Sequence, residues 1–349
     1  NRNMFRKETR VPDFGNLAAV LERKPTERPV LFDFIIGRQK ESMLLEGKVS
    51  YATELDAVIT NIKAFDSAGF DHASIVVRGL EFARRGHYQT DAATKSLNEG
   101  TMITDRASFD RYVWPEPASC DFSIIRRAGE YMNKNVKAIP FSVDGILENT
   151  IGILGFENMC YMLYDCPDVV SDVFEEVGRR ITDYFLQCLE YDEVGAVLCN
   201  DDWGFNSQTM FPPAVLRRYV FPWYREVAEA AHAKGKYAIL HSCGFYGGII
   251  DDIIDSIGFD GRHSYEDKIT PVEEAYETVG SRIAVLGGID VDFLARRSPE
   301  EIYSRCRAML RRTRSRGGYA LGSGNSVPDY IPDENYKALL RAAHEDYEE

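Results

Sequence analysis

His241 and Cys243 stand two residues apart at the end of the apolar run Ala238-Ile-Leu. Alternate side chains of an extended chain point the same way, so the imidazole and the sulfur aim at one spot. Imidazole and thiolate are ligands that a zinc ion readily takes. A catalytic zinc site uses three protein ligands and keeps one position open, so this pair would supply two of the three. The same spacing suits the packed end of a buried strand, where histidine and free cysteine also occur.

Other residues able to do chemistry fall at similar places. Asp201 and Asp202, followed by Trp203 and Gly204, end the apolar run 194–199. Adjacent buried carboxylates repel, so one of them takes a raised pKa or meets a cation. Alternatively, one caps a helix or turn and the other faces water. Either could serve as ligand, base or anchor. Glu266 follows the run 259–263 and offers an oxygen ligand, or only a solvated loop. Asp144 ends the run 136–143, and Asp290 ends Gly287-Gly-Ile. Ser323 and Asn325 lie in Gly322-Ser-Gly-Asn-Ser, which makes either an anion nest or a plain turn. There is no Gly-x-Ser-x-Gly nucleophile elbow and no His-Glu-x-x-His.

The elements that must position these groups follow from periodicity. Strands are expected at residues 29–36, 72–77, 136–144, 194–203, 236–243, 259–266, 283–290 and 318–325. Helical spacing separates them at 50–68, 169–191, 214–234, 249–257, 271–279 and 299–314. About eight short strands alternating with helices predict an α/β fold with a parallel sheet, and polar residues at the C-terminal strand ends favour a closed (β/α)8 TIM barrel. No glycine-rich phosphate loop follows the first strand, as an open doubly wound sheet would suggest. The barrel would be a single domain over 1–349, with an N-terminal extension and an excursion at 79–128 before the third strand. That excursion holds a strand-like segment at 101–104 and is rich in aromatics, including Tyr88, Tyr112 and Trp114. It could cover the barrel mouth.

With 41 basic against 55 acidic residues, the net charge of −14 argues against a nucleic-acid partner. The arginines at 307–316 suit the C-terminal end of a helix. The seven cysteines are odd in number and scattered, so free thiols are expected. No run approaches the ~18 apolar residues of a membrane span. No secretory segment follows Asn1, and a cytoplasmic location is expected.

Taken together and in order, several motifs resemble the uroporphyrinogen decarboxylase superfamily. They are Asp201-Asp-Trp-Gly, Pro222-Trp223, His232-Ala-Lys-Gly, His241-Ser-Cys-Gly, Gly287-Gly-Ile-Asp, Gly317-Gly-Tyr-Ala and Pro332-Asp-Glu-Asn-Tyr. The likeness covers roughly residues 130 to 345 and implies a (β/α)8 barrel. It is closer to the corrinoid-linked zinc methyltransferase branch than to the decarboxylases. That branch moves a methyl group between a corrinoid protein and a thiol, with zinc held by a His-x-Cys pair and a distant cysteine near the last strand. His241 and Cys243 match the pair, and Ser323 would stand where the distant cysteine falls. The resemblance thus implies zinc, a corrinoid-carrying partner protein and a small methyl donor or acceptor. His241, Cys243 and Glu266 become the candidate metal ligands, and Asp201, Asp202 and Asp290 the candidate catalytic acids. Asp144, Ser323 and Asn325 become the candidate cofactor-binding residues. Alternative readings are a decarboxylase-like lyase and a catalytically silent barrel that binds a tetrapyrrole or a partner. The decarboxylases carry an arginine-rich signature after the first strand; this chain has Gly37-Arg38-Gln39-Lys40.

Overall fold

A computed structural model describes residues 10–84, 102–345 and 347. The first nine residues of the N-terminal extension, with Tyr88 and Thr101 of the excursion, lie outside the described residues. The centre is a parallel sheet of seven strands. They are β1 (His72–Val76), β2 (Lys137–Phe141), β3 (Ala196–Asn200), β4 (Tyr237–His241), β5 (Gly261–His263), β6 (Ala284–Leu286) and β7 (Tyr319–Ala320). Each strand neighbours the next in sequence. Parallel neighbours need a crossover, and the helices Pro167–Leu189, Phe221–Ala233, Val272–Val279 and Pro299–Thr313 provide it before β3, β4, β6 and β7.

Strand alternation divides the apolar residues into two sets. Ile139, Leu198, Ile239, Leu286 and Ala320 turn to an inner core. Ala138, Val197, Leu240 and Val285 join the layer beneath the helices. Helix Phe14–Leu21, capped by the Asp13 carboxylate on Gly15 N, sends Phe14, Leu17, Val20 and Leu21 into that inner core. Phe14 lies against Gly195 and Tyr237, near the N-terminal ends of β3 and β4. This part of the extension is a floor beneath the curled sheet.

Of the eight strands expected, the first is reduced to single bridges. Leu31 pairs with Leu321 and Ile36 with Val327, both parallel. Phe32 N donates to Leu321 O at 2.9 Å, and Leu321 N to Val30 O at 2.8 Å. On the β1 side, the Asp33 carbonyl is met by the side chains of His72 and Ser74, at 3.4 and 3.3 Å. Side chains thus take a place where ladder bonds would run, and Pro29 has no N–H to give. The sheet is therefore seven-stranded and curled, with residues 30–36 lying in its seam.

Two other expectations are modified. The helix read at 214–234 breaks at Val220 into Pro213–Tyr219 and Phe221–Ala233, because Pro222 can sit only in a first turn. In the excursion, residues 102–104 form no strand; Met102 and Ile103 both donate to Ile153 O. Tyr112 packs on Trp114, and Trp114 lies against Arg180 of the Pro167–Leu189 helix. No helix among the described residues is long and apolar enough to cross a membrane.

Candidate metal centre

Strand register brings the chemistry together. Asn200 stands opposite His241 across β3 and β4, and His241 opposite His263 across β4 and β5. Just past the strand ends, Asp202 Oδ1 accepts the Cys243 N–H at 2.8 Å. The Cys243 sulfur lies 3.7 Å from His241 Nε2. Ligand atoms of Asp202, His241 and Cys243 all fall within 4.8 Å of one another. A tetrahedral zinc with bonds of about 2.0 Å to nitrogen and 2.3 Å to sulfur separates those two atoms by roughly 3.5 Å. The donor set therefore fits zinc in both chemistry and span.

The surroundings support the sulfur as an acceptor. Ser264 Oγ and Asn325 Nδ2 each donate to it at 3.2 Å. Burial, then the charge of Asp202, pushes the Cys243 thiol well above its usual range, so its proton stays on sulfur and is shared with Asp202. A bound dication would displace that proton. The two loops meet closely: a Cβ on Gly244, whose φ is +88°, would fall 2.0 Å from Gly204 O. Only glycine allows that approach.

His241 is buried against Phe34, with ring centroids 4.4 Å apart. Its Nδ1 is 2.7 Å from His263 Nδ1, and His263 Nε2 is 3.0 Å from the Ser323 carbonyl oxygen. Burial lowers both imidazoles, His241 well below the ordinary histidine value and His263 to about 4.

The sequence from 118 to 346 matches the family model of uroporphyrinogen decarboxylase (URO-D). The chain belongs to the uroporphyrinogen decarboxylase family. No curated protein matches it in sequence. Among solved structures, a methyltransferase from Methanosarcina mazei aligns over 94% of this chain and 97% of its own, with TM-score 0.69 at 17% identity. A Listeria monocytogenes protein named as a vitamin-B12 independent methionine synthase aligns over 91% of this chain and 96% of its own, with TM-score 0.50 at 14% identity. At these identities the likeness is one of fold.

Within this member of the uroporphyrinogen decarboxylase family, the acids chosen from sequence take different places. Asp201 turns away from Cys243. Its carboxylate accepts from Leu147 N, Glu148 N, Trp203 Nε1 and Tyr224 OH at 2.8–3.0 Å, capping helix Ile146–Leu154. Burial raises its pKa to about 7. Asp290 caps Val291–Arg296 through Phe293 N and also accepts from Asp267 N. Asp144, at φ +57°, pairs with Arg84 at 3.0 Å. Glu266 is half-buried, and burial, then Asp290 and Asp202, raises its pKa. It shares with Asp290, Phe293, Asn325 and Tyr330 the wall of a cleft of ≈ 1230 Å³.

Ser323 is fully buried, and its hydroxyl donates to Ser326 O at 3.3 Å. The side chain beside the sulfur from that loop is that of Asn325. Two contributors carried no assigned role from sequence. His263 ends a strand in step with His241, a register that local periodicity does not reveal. Ser264 holds φ +89°, a region serine rarely adopts, and thereby aims its hydroxyl at Cys243.

Proposed function

We propose that this chain is a zinc-dependent methyltransferase, moving a methyl group between a corrinoid carried by a partner protein and a thiol or similar acceptor. Asp202, His241 and Cys243 would hold the metal. The carrying observation is the convergence of one oxygen, one nitrogen and one sulfur donor within 4.8 Å. They lie at or just beyond the C-terminal ends of β3 and β4, where barrel folds place their chemistry. The fold shared with the Methanosarcina mazei methyltransferase supports the same reading. Asn325, which touches the Cys243 sulfur, also lines a neighbouring cleft of ≈ 1230 Å³, larger than the usual small-molecule pocket of about 300–1,000 Å³. We take residues 1–349 as one domain, with the 30–36 segment as the eighth stave of a (β/α)8 ring.

Bound zinc would lower the pKa of an acceptor thiol or act as a Lewis acid on the methyl donor. The chain's own residues prepare for this. Asp202 faces the Cys243 thiol, whose proton would leave to solvent when a dication binds both groups, and Ser264 and Asn325 donate to the sulfur that would then carry the charge. Glu266, with its raised pKa, can hold a proton at the cleft wall. Asp290 steadies the Glu266 loop through Asp267 N. A polycarboxylate substrate, as a decarboxylase of this family would take, calls for cations at the mouth. The two cations after the first apolar run do not supply them, since Lys40 is buried against Asp333 at 2.7 Å and Arg38 lies over Tyr51. The cations at the cleft are Lys268, Arg296 and Arg297, beside the acids Glu266, Asp267, Asp290 and Asp292.

Metal analysis tests the proposal. Purified, zinc-supplemented protein should hold about one zinc per chain, and a His241→Ala/Cys243→Ala variant should hold none. Demethylation of methylcobalamin with a panel of thiols, followed by its visible spectrum, tests the reaction. Wild-type protein that takes up no zinc would sink the reading, and carbon dioxide release from uroporphyrinogen would replace it with the decarboxylase.

A further inference from the structure

We propose that His263 is a positioning residue, which holds His241 in the one tautomer that turns its Nε2 lone pair toward the metal. This rests on reading Asp202, His241 and Cys243 as metal ligands.

The argument starts at a main-chain carbonyl. Ser323 O can only accept, so the nitrogen 3.0 Å away, His263 Nε2, carries a hydrogen. A neutral His263 then has its lone pair on Nδ1. That atom lies 2.7 Å from His241 Nδ1, a distance at which two N–H groups or two lone pairs would repel. One proton lies between them, and it belongs to His241. The opposite assignment gives His263 two protons and a positive charge beside the rings of Phe32 and Phe34, at 5.3 and 6.4 Å. Among the described residues no carboxylate hydrogen-bonds to His263, so that charge would be buried uncompensated.

His241 is therefore protonated on Nδ1 and bare on Nε2, the nitrogen that faces Cys243 Sγ at 3.7 Å. The relay runs Ser323 carbonyl, His263, His241, cation. Its first member cannot change its protonation, so the fold itself selects the tautomer. Losing such a partner behind a ligating histidine typically weakens metal binding about 10- to 100-fold. A histidine that merely filled space would tolerate an apolar replacement of similar size.

Zinc affinity, measured by competition with a chromophoric chelator, separates these roles. His263→Leu should bind zinc about 10- to 100-fold more weakly than wild type. His263→Gln, whose amide can donate to Ser323 O and offer an oxygen to His241, should recover most of the loss. A His263→Leu protein with wild-type affinity, or a Gln variant as weak as Leu, overturns the proposal. Should the Leu variant not fold, nitrogen-15 NMR of metal-free wild type decides directly. His241 should show the Nδ1–H tautomer and His263 the Nε2–H one, and the reverse in His241 overturns the relay. If wild type shows these tautomers yet binds no zinc, the ligand reading has failed and the relay has not.

Discussion

Asn325 reaches the Cys243 sulfur at 3.2 Å, from the loop where the family resemblance would place a second thiolate as third ligand. An amide N–H supports a sulfur's charge but is no substitute for a soft anionic ligand. Asn325→Cys should therefore tighten zinc binding at least about tenfold, read by the same chelator competition. Unchanged affinity would mean that position 325 does not face the metal. The resemblance puts Ser323 in that place, whereas its hydroxyl bonds Ser326 O. Because β7 is only two residues long, side-chain direction beyond it does not follow strand alternation, so sequence spacing does not say which residue of 322–326 faces Cys243. His241 and Cys243 were legible because they continue a five-residue strand with a clean two-residue period.

At the scale of elements, the neighbouring acids 201 and 202 have separate duties. Adjacent residues of an extended chain point to opposite sides, so one acid had to leave the site, but periodicity does not say which. The structure sends Asp201 to the N-terminal end of helix Ile146–Leu154, where its charge meets unpaired N–H groups. Asp201→Ala would strand four donors, three of them in buried bonds, and should cost about 3–5 kcal/mol, seen as a large drop in melting temperature. Zinc affinity of the folded fraction should change little, because Asp202 faces Cys243. Lost metal binding at unchanged stability would show that the two duties are exchanged. Helix breaks behave similarly. The Pro222 break was readable in principle from proline alone, whereas the Asp201 cap comes from a strand more than 50 residues away in sequence.

For the whole molecule, the seam beside residues 30–36 contributes two opposing parts of the pH response. A Cβ on Gly322 would fall 1.7 Å from Phe32 O, so the last loop and the first apolar run touch backbone to backbone. Within this seam His72 stacks on Phe32, and burial lowers its imidazole to about 3. The unfolded chain binds a proton near pH 6.5 that the folded chain refuses. Stability from His72 is therefore complete above about pH 6.5 and lost as pH falls toward 3, by up to about 1.4 kcal/mol per pH unit. Asp33, raised by burial to about 7, has the opposite slope and costs stability as pH rises from about 4 to 7. His72→Phe should remove the histidine's share, so the difference between variant and wild type in urea melts should grow in the variant's favour from pH 6.5 down to 4. A pH-independent difference would show that His72 takes a proton inside the fold.

Local periodicity was enough to reveal the alternation of strands and helices, the polar strand ends and the His-x-Cys pair, because each depends on neighbours a few residues apart. The choice of Asp202 over Asp201 and Glu266 as the proposed third donor, the approach of the Asn325 amide to Cys243, the histidine behind His241 and the single-bridge seam came only from tertiary structure. All four depend on register between segments far apart in the chain. Register is set by how side chains of different strands pack together, which no single stretch of sequence contains.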